Sequence, residues 1–181
     1  MTEKISSDSS LKLVIYKKIV DGDFRKFIAE SNDAQTGGGA RDLRFSPATK
    51  FFPIFQRMFL GRDNGVLKGN VYWIGADITT KVSIHPPTKS RPSEVRIGRV
   101  HECIPEPLIN SIPDRNDCIL VLATDNSNRV YGFFTSLKSL TEDPWDYSFK
   151  KIIIDGIVTE RSSKFSGMGY IDYENNEIYT K

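Results

Sequence analysis

The residue types able to do chemistry in this chain are few, and their spacing sorts them quickly. Two histidines (His85, His101) and two cysteines (Cys103, Cys118) are the soft ligands available for zinc, but no CxxC or HxxxH spacing supports such a site. Nothing in the spacing favours a Cys–His nucleophile pair either. Gly37-Gly38-Gly39 is not a phosphate-binding loop, because no Gly-Lys-Ser/Thr follows it. A metal-dependent nuclease would place a carboxylate at a strand start and an acid-x-lysine pair on the next strand. Glu94-Val95-Arg96 is the nearest approach, with arginine where lysine should stand. The sequence therefore offers no catalytic residue, no metal ligand and no cofactor site. A small metal-dependent DNA endonuclease using Glu94 is the enzyme alternative, and Mg²⁺-dependent nicking that vanishes in Glu94→Gln is its signature.

Binding chemistry is better represented. Phe27 to Phe45 (FIAESNDAQTGGGARDLRF) carries Ser31, Asn32, Asp33, Gln35 and Thr36, then three glycines, then Arg41 and Arg44 around Asp42. No hydrophobic core needs that composition. Three glycines free the backbone to take positive φ and to lie close against another surface. Asn, Gln and Arg carry the paired donors and acceptors that fit base edges or phosphates. A second polar stretch begins at Pro86-Pro87 and runs PPTKSRPSEVRIGRV to Val100, with Lys89, Ser90, Arg91, Glu94, Arg96 and Arg99. Two such arms suit a claw on a duplex, cations on phosphate and forked side chains on bases. The plainer alternative is two surface loops whose polar groups face water, with Glu94 pairing Arg96 and Asp42 neutralising Arg41 or Arg44.

The elements that must position these arms read as strands. Leu11–Val20 carries β-branched residues, and Asp21-Gly22-Asp23 ends it with turn chemistry. Phe24 to Glu30 reads as a short strand or turn into the first arm. Phe51, Phe52, Phe55, Met58 and Phe59 recur at helical spacing, as in a short helix that plugs a core. Val71–Ile78 and Thr80–His85 read as strands, and Glu94–Val100 alternates with Val95 and Ile97 on one face. Cys118–Asp125 is apolar enough for a central strand, joined by Asn126-Ser127-Asn128 to Arg129–Thr135. Lys151–Glu160 reads as another strand, and two short strands close the chain around Asn175-Asn176. Intervals too short for βαβ units predict a mainly β (α+β) fold, a seven- or eight-stranded open pseudobarrel with one or two short helices.

A length of 181 residues suits one domain over residues 11–181, with residues 1–10 as a flexible terminus. The net charge of +2 conceals an uneven distribution. Arg41 to Glu102 holds eleven basic and five acidic residues, whereas Thr141 to Lys181 holds five and eight. One positive face is the implication. No apolar run reaches the roughly 20 residues of a membrane span, and MTEKISSDSS has no hydrophobic signal region. A cytoplasmic location, no membrane partner and two free buried thiols are the expectations.

The run Lys26-Phe27, Ser31-Asn32-Asp33, Thr36-Gly37-Gly38 resembles the opening of the N-terminal effector-binding domain of EcoRII-type restriction endonucleases. There a phenylalanine and an Asn-Asp pair precede a Thr-Gly-Gly segment in the DNA-contacting arm. Ser90-Arg91-Pro92-Ser93-Glu94-Val95-Arg96 is similar to a second polar stretch of those domains. Ala40-Arg41-Asp42 stands where the family tends to have His-Gln. The resemblance implies a DNA-binding pseudobarrel of the kind shared with plant auxin-response transcription factors, gripping the major groove with two arms and doing no chemistry. The expected function is sequence-specific binding of double-stranded DNA, as the recognition module of a restriction or phage-defence system whose nuclease is a separate chain or domain. A protein-interaction module using Tyr72 and Trp73 as exposed aromatics is the further alternative.

Overall fold

A computed structural model describes residues 11–28, 41–142, 147–158 and 167–181. In chain order these form β1 (Leu11–Lys18), α1 (Asp21–Phe27), β2 (Leu43–Phe45), α2 (Ala48–Met58), β3 (Gly61–Asp63), β4 (Val66–Trp73), β5 (Ile78–His85) and β6 (Val95–Ile97). There follow α3 (Val100–Cys103), α4 (Glu106–Asn110), β7 (Ile119–Asp125), β8 (Val130–Thr135), α5 (Leu137–Glu142), α6 (Tyr147–Val158), β9 (Met168–Asp172) and β10 (Glu177–Thr180). All ten strands join one sheet in the order β10-β9-β1-β7-β8-β4-β5-β6-β2, with β3 on β4. The sheet curls into an open half-barrel, the mainly β class that the strand spacing implied. Strand pairing is antiparallel apart from β4 and β8, which run parallel over Val71–Trp73 and Val130–Gly132.

Burial explains the sheet's centre. On β1, Leu13 and Ile15 face the barrel interior, while Val14 and Tyr16 face a second apolar layer with Val121 and Ile153. A strand buried on both faces cannot alternate, so β1 and β7 read as near-continuous apolar runs. The second layer is covered by α6, whose Ile153 and Ile157 lie one turn apart and are buried. Lys151–Glu160 is thus helical through Val158 rather than a strand. Its three consecutive isoleucines suit either element, and the burial at a four-residue spacing decides for the helix.

Three further readings are corrected. Asp21-Gly22-Asp23 opens α1 rather than a turn, with the Asp23 carboxylate accepting from Val20 N at 3.5 Å in the manner of a helix start. Val71–Ile78 is not one strand: the chain reverses through Gly75 and Asp77, both at positive φ, between β4 and β5. The strand and helix totals exceed those predicted because β2, β3, α3 and α4 are five residues or shorter and leave little periodicity to read. The flexible-terminus reading of residues 1–10 lies outside the described residues. Among the described residues, no helix is long and apolar enough to cross a membrane.

The aromatic segment does plug the barrel. Phe51, Phe55, Met58 and Phe59 are essentially inaccessible, with Phe45 packed on the rings of Phe51 and Phe55 at 5.5 and 5.2 Å. The helix also spans the gap between the two ends of the sheet. Phe51 meets Tyr170 and Tyr179 edge-on, and Arg57 forks onto Asp172 at the end of β9 and onto Glu174. Near the same gap Lys181 Nζ donates to Ser46 Oγ at 2.9 Å. The barrel is therefore closed there by side chains and a helix, with no ladder between β10 and β2.

Candidate nucleic-acid interface

The second arm is a hairpin on the β5–β6 connection. Thr88 and Arg91 exchange backbone hydrogen bonds at 3.2 and 3.0 Å, which places Lys89 and Ser90 at an exposed two-residue tip. Thr88 Oγ1 and Ser90 Oγ lie 3.2 Å apart and stiffen the tip. Ser93 C=O accepts from Ala48 N at 2.8 Å, so the arm's base is tied to the start of α2. The alternation on β6 holds as expected, with Val95 and Ile97 buried and Arg96 turned outward.

Register then assembles a cationic row. Arg44 on β2 faces Arg96 on β6, and Arg96 faces His85 on β5. Asp42 sits almost fully buried beneath this row and organises it. It accepts from Arg96 Nη1 at 3.1 Å through Oδ2 and from Arg99 N at 3.1 Å through Oδ1. Arg99 adopts positive φ to present that N–H, and Arg41 C=O receives Val100 N at 3.0 Å. The end of the first arm is thereby fastened to the foot of the second.

These pairings differ from those expected. Asp42 neutralises Arg96, not Arg41 or Arg44, and Glu94 approaches Arg44 at 3.6 Å rather than Arg96. Arg99 pairs with Glu102 on the surface. Sequence reasoning missed the Asp42–Arg96 pair because 54 residues separate the partners; only the pairing of β2 with β6 brings them together.

The Nε2 and Cδ2 atoms of His85 lie against Gly98, where a Cβ would collide with them. Burial pulls His85 below the ordinary histidine value; Asp42 opposes the shift and Arg96 adds to it. His101 is lowered too, by burial first and by Arg41 next. Burial raises the thiols of Cys103 and Cys118 to about 12, and both are free. Among the described residues, no group of three or more His, Cys, Asp or Glu is placed to hold a metal ion. Four buried polar atoms without a hydrogen-bond partner belong to the arm and its foot: Arg91 Nη1, Glu94 Oε2, Arg96 Nε and His101 Nδ1. Beside the row runs an open trough of about 590 Å³ whose walls include Lys68, Lys81, Ser83, His85 and Arg99.

Of the sequence-predicted contacts, Arg41, Arg44, Glu94, Arg96 and Arg99 come together at this foot, and Lys89, Ser90 and Arg91 form the hairpin above it. Ser31, Asn32, Asp33, Gln35 and Thr36 lie outside the described residues. Lys68, Lys81 and Ser83 were not singled out from sequence, although the alternation of β4 and β5 puts them on this outer face. Trp73 is not an exposed aromatic: it is buried, and its indole N–H donates to Thr80 Oγ1 at 2.7 Å. No protein-family profile and no curated protein matches the chain.

Proposed function

We propose that this protein binds double-stranded DNA in a sequence-specific way through the hairpin at residues 88–91 and the cationic row at its foot, with residues 30–40 as the companion arm. The observation that carries this reading is the imbalance at the foot and hairpin. Arg41, Arg44, Lys89, Arg91, Arg96 and Arg99 gather there against Asp42, Glu94 and Glu102, whose pairs with Arg96, Arg44 and Arg99 leave three cations in excess. Arg44 and Lys89 are open to solvent, as phosphate contacts need to be. Arg91, half-buried with one terminal nitrogen unpartnered, is the better candidate for a base edge, where an oriented guanidinium discriminates. The resemblance to EcoRII-type effector-binding domains and the half-barrel fold are consistent with a recognition module whose cleaving partner is a separate chain or domain.

The test is selection from a pool of random duplexes at two salt concentrations, with the recovered duplexes sequenced. Enrichment of a short motif, with affinity falling as salt rises, is the expected result. Arg91→Ala or Arg41→Ala should weaken binding by about 1–3 kcal/mol if either makes a bidentate base contact. Arg44→Ala should reduce the log–log salt slope by about 1 without changing the motif. Binding of cognate DNA at parental strength by both Arg41→Ala and Arg91→Ala rejects the two-arm reading.

A further inference from the structure

A second groove opens on the same outer face, at the far end of β4. One edge of β4 is occupied by β5 along Leu67–Trp73. The other is shared: β3 pairs with Val66–Lys68 and β8 with Val71–Trp73. Between them, Gly69 and Asn70 meet no strand on that edge among the described residues. Since successive residues of a strand direct their N–H and C=O to opposite edges, one of these two offers both groups to the gap. The gap widens into an open groove of about 560 Å³, with Met58 and Val130 among its apolar lining.

The walls are aromatic, cationic and amide-bearing. Tyr72 and Tyr131 are neighbours across the parallel β4–β8 pair, edge to face at 6.2 Å. Each ring is held by its hydroxyl, which donates to Asp77 for Tyr72 (2.8 Å) and to Asp125 for Tyr131 (3.1 Å). Asp125 does more than hold a ring. It also accepts from the backbone N–H groups of Ser127 and Arg129 at 2.9 and 3.1 Å, and it pairs with Arg129 Nε at 3.3 Å. One carboxylate thus builds the turn and folds the exposed Arg129 guanidinium over Tyr131, 6.0 Å from the ring centre. Asn70 adds a side-chain amide. Lys68, paired with Asp63 at 2.6 Å, lines both this groove and the trough beside the cationic row, so the two adjoin at that side chain.

Rigid aromatic faces, a stacked guanidinium, amide hydrogen-bonding groups and adjacent cations match one ligand chemistry: a flat heteroaromatic ring with a polar edge and a nearby phosphate. We infer that the groove between β3 and β8 binds an unpaired nucleobase of a single nucleic-acid strand, with the ring against Tyr131 and Tyr72, its edge toward Asn70 and the β4 gap, and its phosphates along Arg129 and Lys68. A strand fits better than a free nucleotide because the groove is open and the cationic trough adjoins it at Lys68. A base within an intact duplex has both faces stacked and cannot present either to Tyr131.

The experiment uses the full chain and a short oligonucleotide carrying 2-aminopurine, presented as a single strand, as the same strand annealed to its complement, and against AMP as competitor. The expected result is a fluorescence change on binding the single strand that the annealed form does not give. Tyr131→Leu, which keeps an apolar side chain but removes the π-face, should weaken single-strand binding at least about fivefold, the low end for loss of one base–aromatic stack. Arg129→Ala, at an exposed position, should weaken it in the same direction with unchanged thermal stability. Arg91→Ala should leave it within about twofold, which separates this groove from the duplex-binding hairpin. Equal response of paired and unpaired forms overturns the inference. So does parental single-strand affinity in a folded Arg129→Ala together with Tyr131→Leu. Displacement by AMP at the oligonucleotide's own affinity makes the groove a mononucleotide site and overturns the strand reading.

Discussion

Replacing Asp42 by Asn should cost this protein more than any other charge-neutralising change at the cationic row. The Asp42 and Arg96 side chains are 4 % and 14 % exposed, so neither is rescued well by water when the other is removed. Asn keeps an oxygen for Arg99 N but turns an amide N–H toward Arg96 Nη1, donor against donor. Breaking a buried pair from one side typically costs about 3–5 kcal/mol, and the residual exposure of Arg96 places the loss near about 3. Asp42→Ala also leaves Arg99 N without its acceptor and should add about 1 kcal/mol. Arg44→Gln is the matched control: its pair with Glu94 is longer and 44 % exposed on the arginine side, so it should stay within about 0.5 kcal/mol of the parent. Urea unfolding followed by far-UV circular dichroism reads these differences from the midpoint at constant m-value. Arg96→Met and the Asp42→Asn/Arg96→Met double variant complete a cycle, in which removing both charges should recover about 2 kcal/mol relative to the sum. A loss below about 1 kcal/mol for Asp42→Asn, or an additive cycle, refutes the assignment of Asp42 as the group that fastens the two arms.

Other perturbations have equally definite outcomes. Asp172 is held below the ordinary carboxylate value of 3.8: burial works to raise it, but hydrogen bonds from Arg57 and Asn175 outweigh that. Its native pKa is depressed, so the stability it contributes is present above 3.8 and is lost as pH falls through the lower native value; Arg57→Met should flatten that acid limb in pH-dependent melts. His85 and His101 are depressed from 6.5, so the unfolded chain binds protons first, and stability should decline as pH falls below 6.5, less so in His85→Gln. Gly98→Ala should drive the imidazole of His85 out of its place and cost about 1–3 kcal/mol by overpacking, measured by thermal melting. Cys103 and Cys118 should resist a thiol reagent at pH 8 until the protein unfolds, because both are buried and raised to about 12.

How much of this was legible beforehand divides along sequence distance. Local periodicity revealed the α2 plug, the outward face of β6 and the hairpin turn at residues 126–128, because each is written in neighbouring residues. The class of fold followed from strand spacing. What eluded sequence reasoning was set by partners far along the chain. Lys151–Glu160 looked like a strand until β1 and β7 supplied a sheet face for Ile153 and Ile157 to cover. Asp42 was read as a local counter-charge because the register that aligns β2 with β6 has no trace in either segment alone. The Tyr72–Tyr131 groove depends on the parallel pairing of β4 with β8, which no turn or loop length announces. Within the candidate interface the residue types were readable; their pairings were not.

The side-chain closure between the two ends of the sheet has a mechanical consequence. A barrel sealed by backbone ladders is stiff all the way round, whereas this one has a hinge line and a latch. The hinge is the doubly buried pair β1–β7, and the latch is α2 with Phe51, Arg57 and the Ser46–Lys181 contact. Deformation should concentrate at the latch, where amides of β10 have ladder partners on one edge only, and hydrogen exchange should be fastest there and slowest in β1 and β7. Because β8 and β4 of the Tyr131 groove and β5, β6 and β2 of the cationic row all lie on the same side of that hinge, opening the latch would carry both together, away from β9 and β10. The spacing between the cationic row and the Tyr131 groove is thus set by the β8-β4-β5-β6 pairing and is kept when the seam gives way.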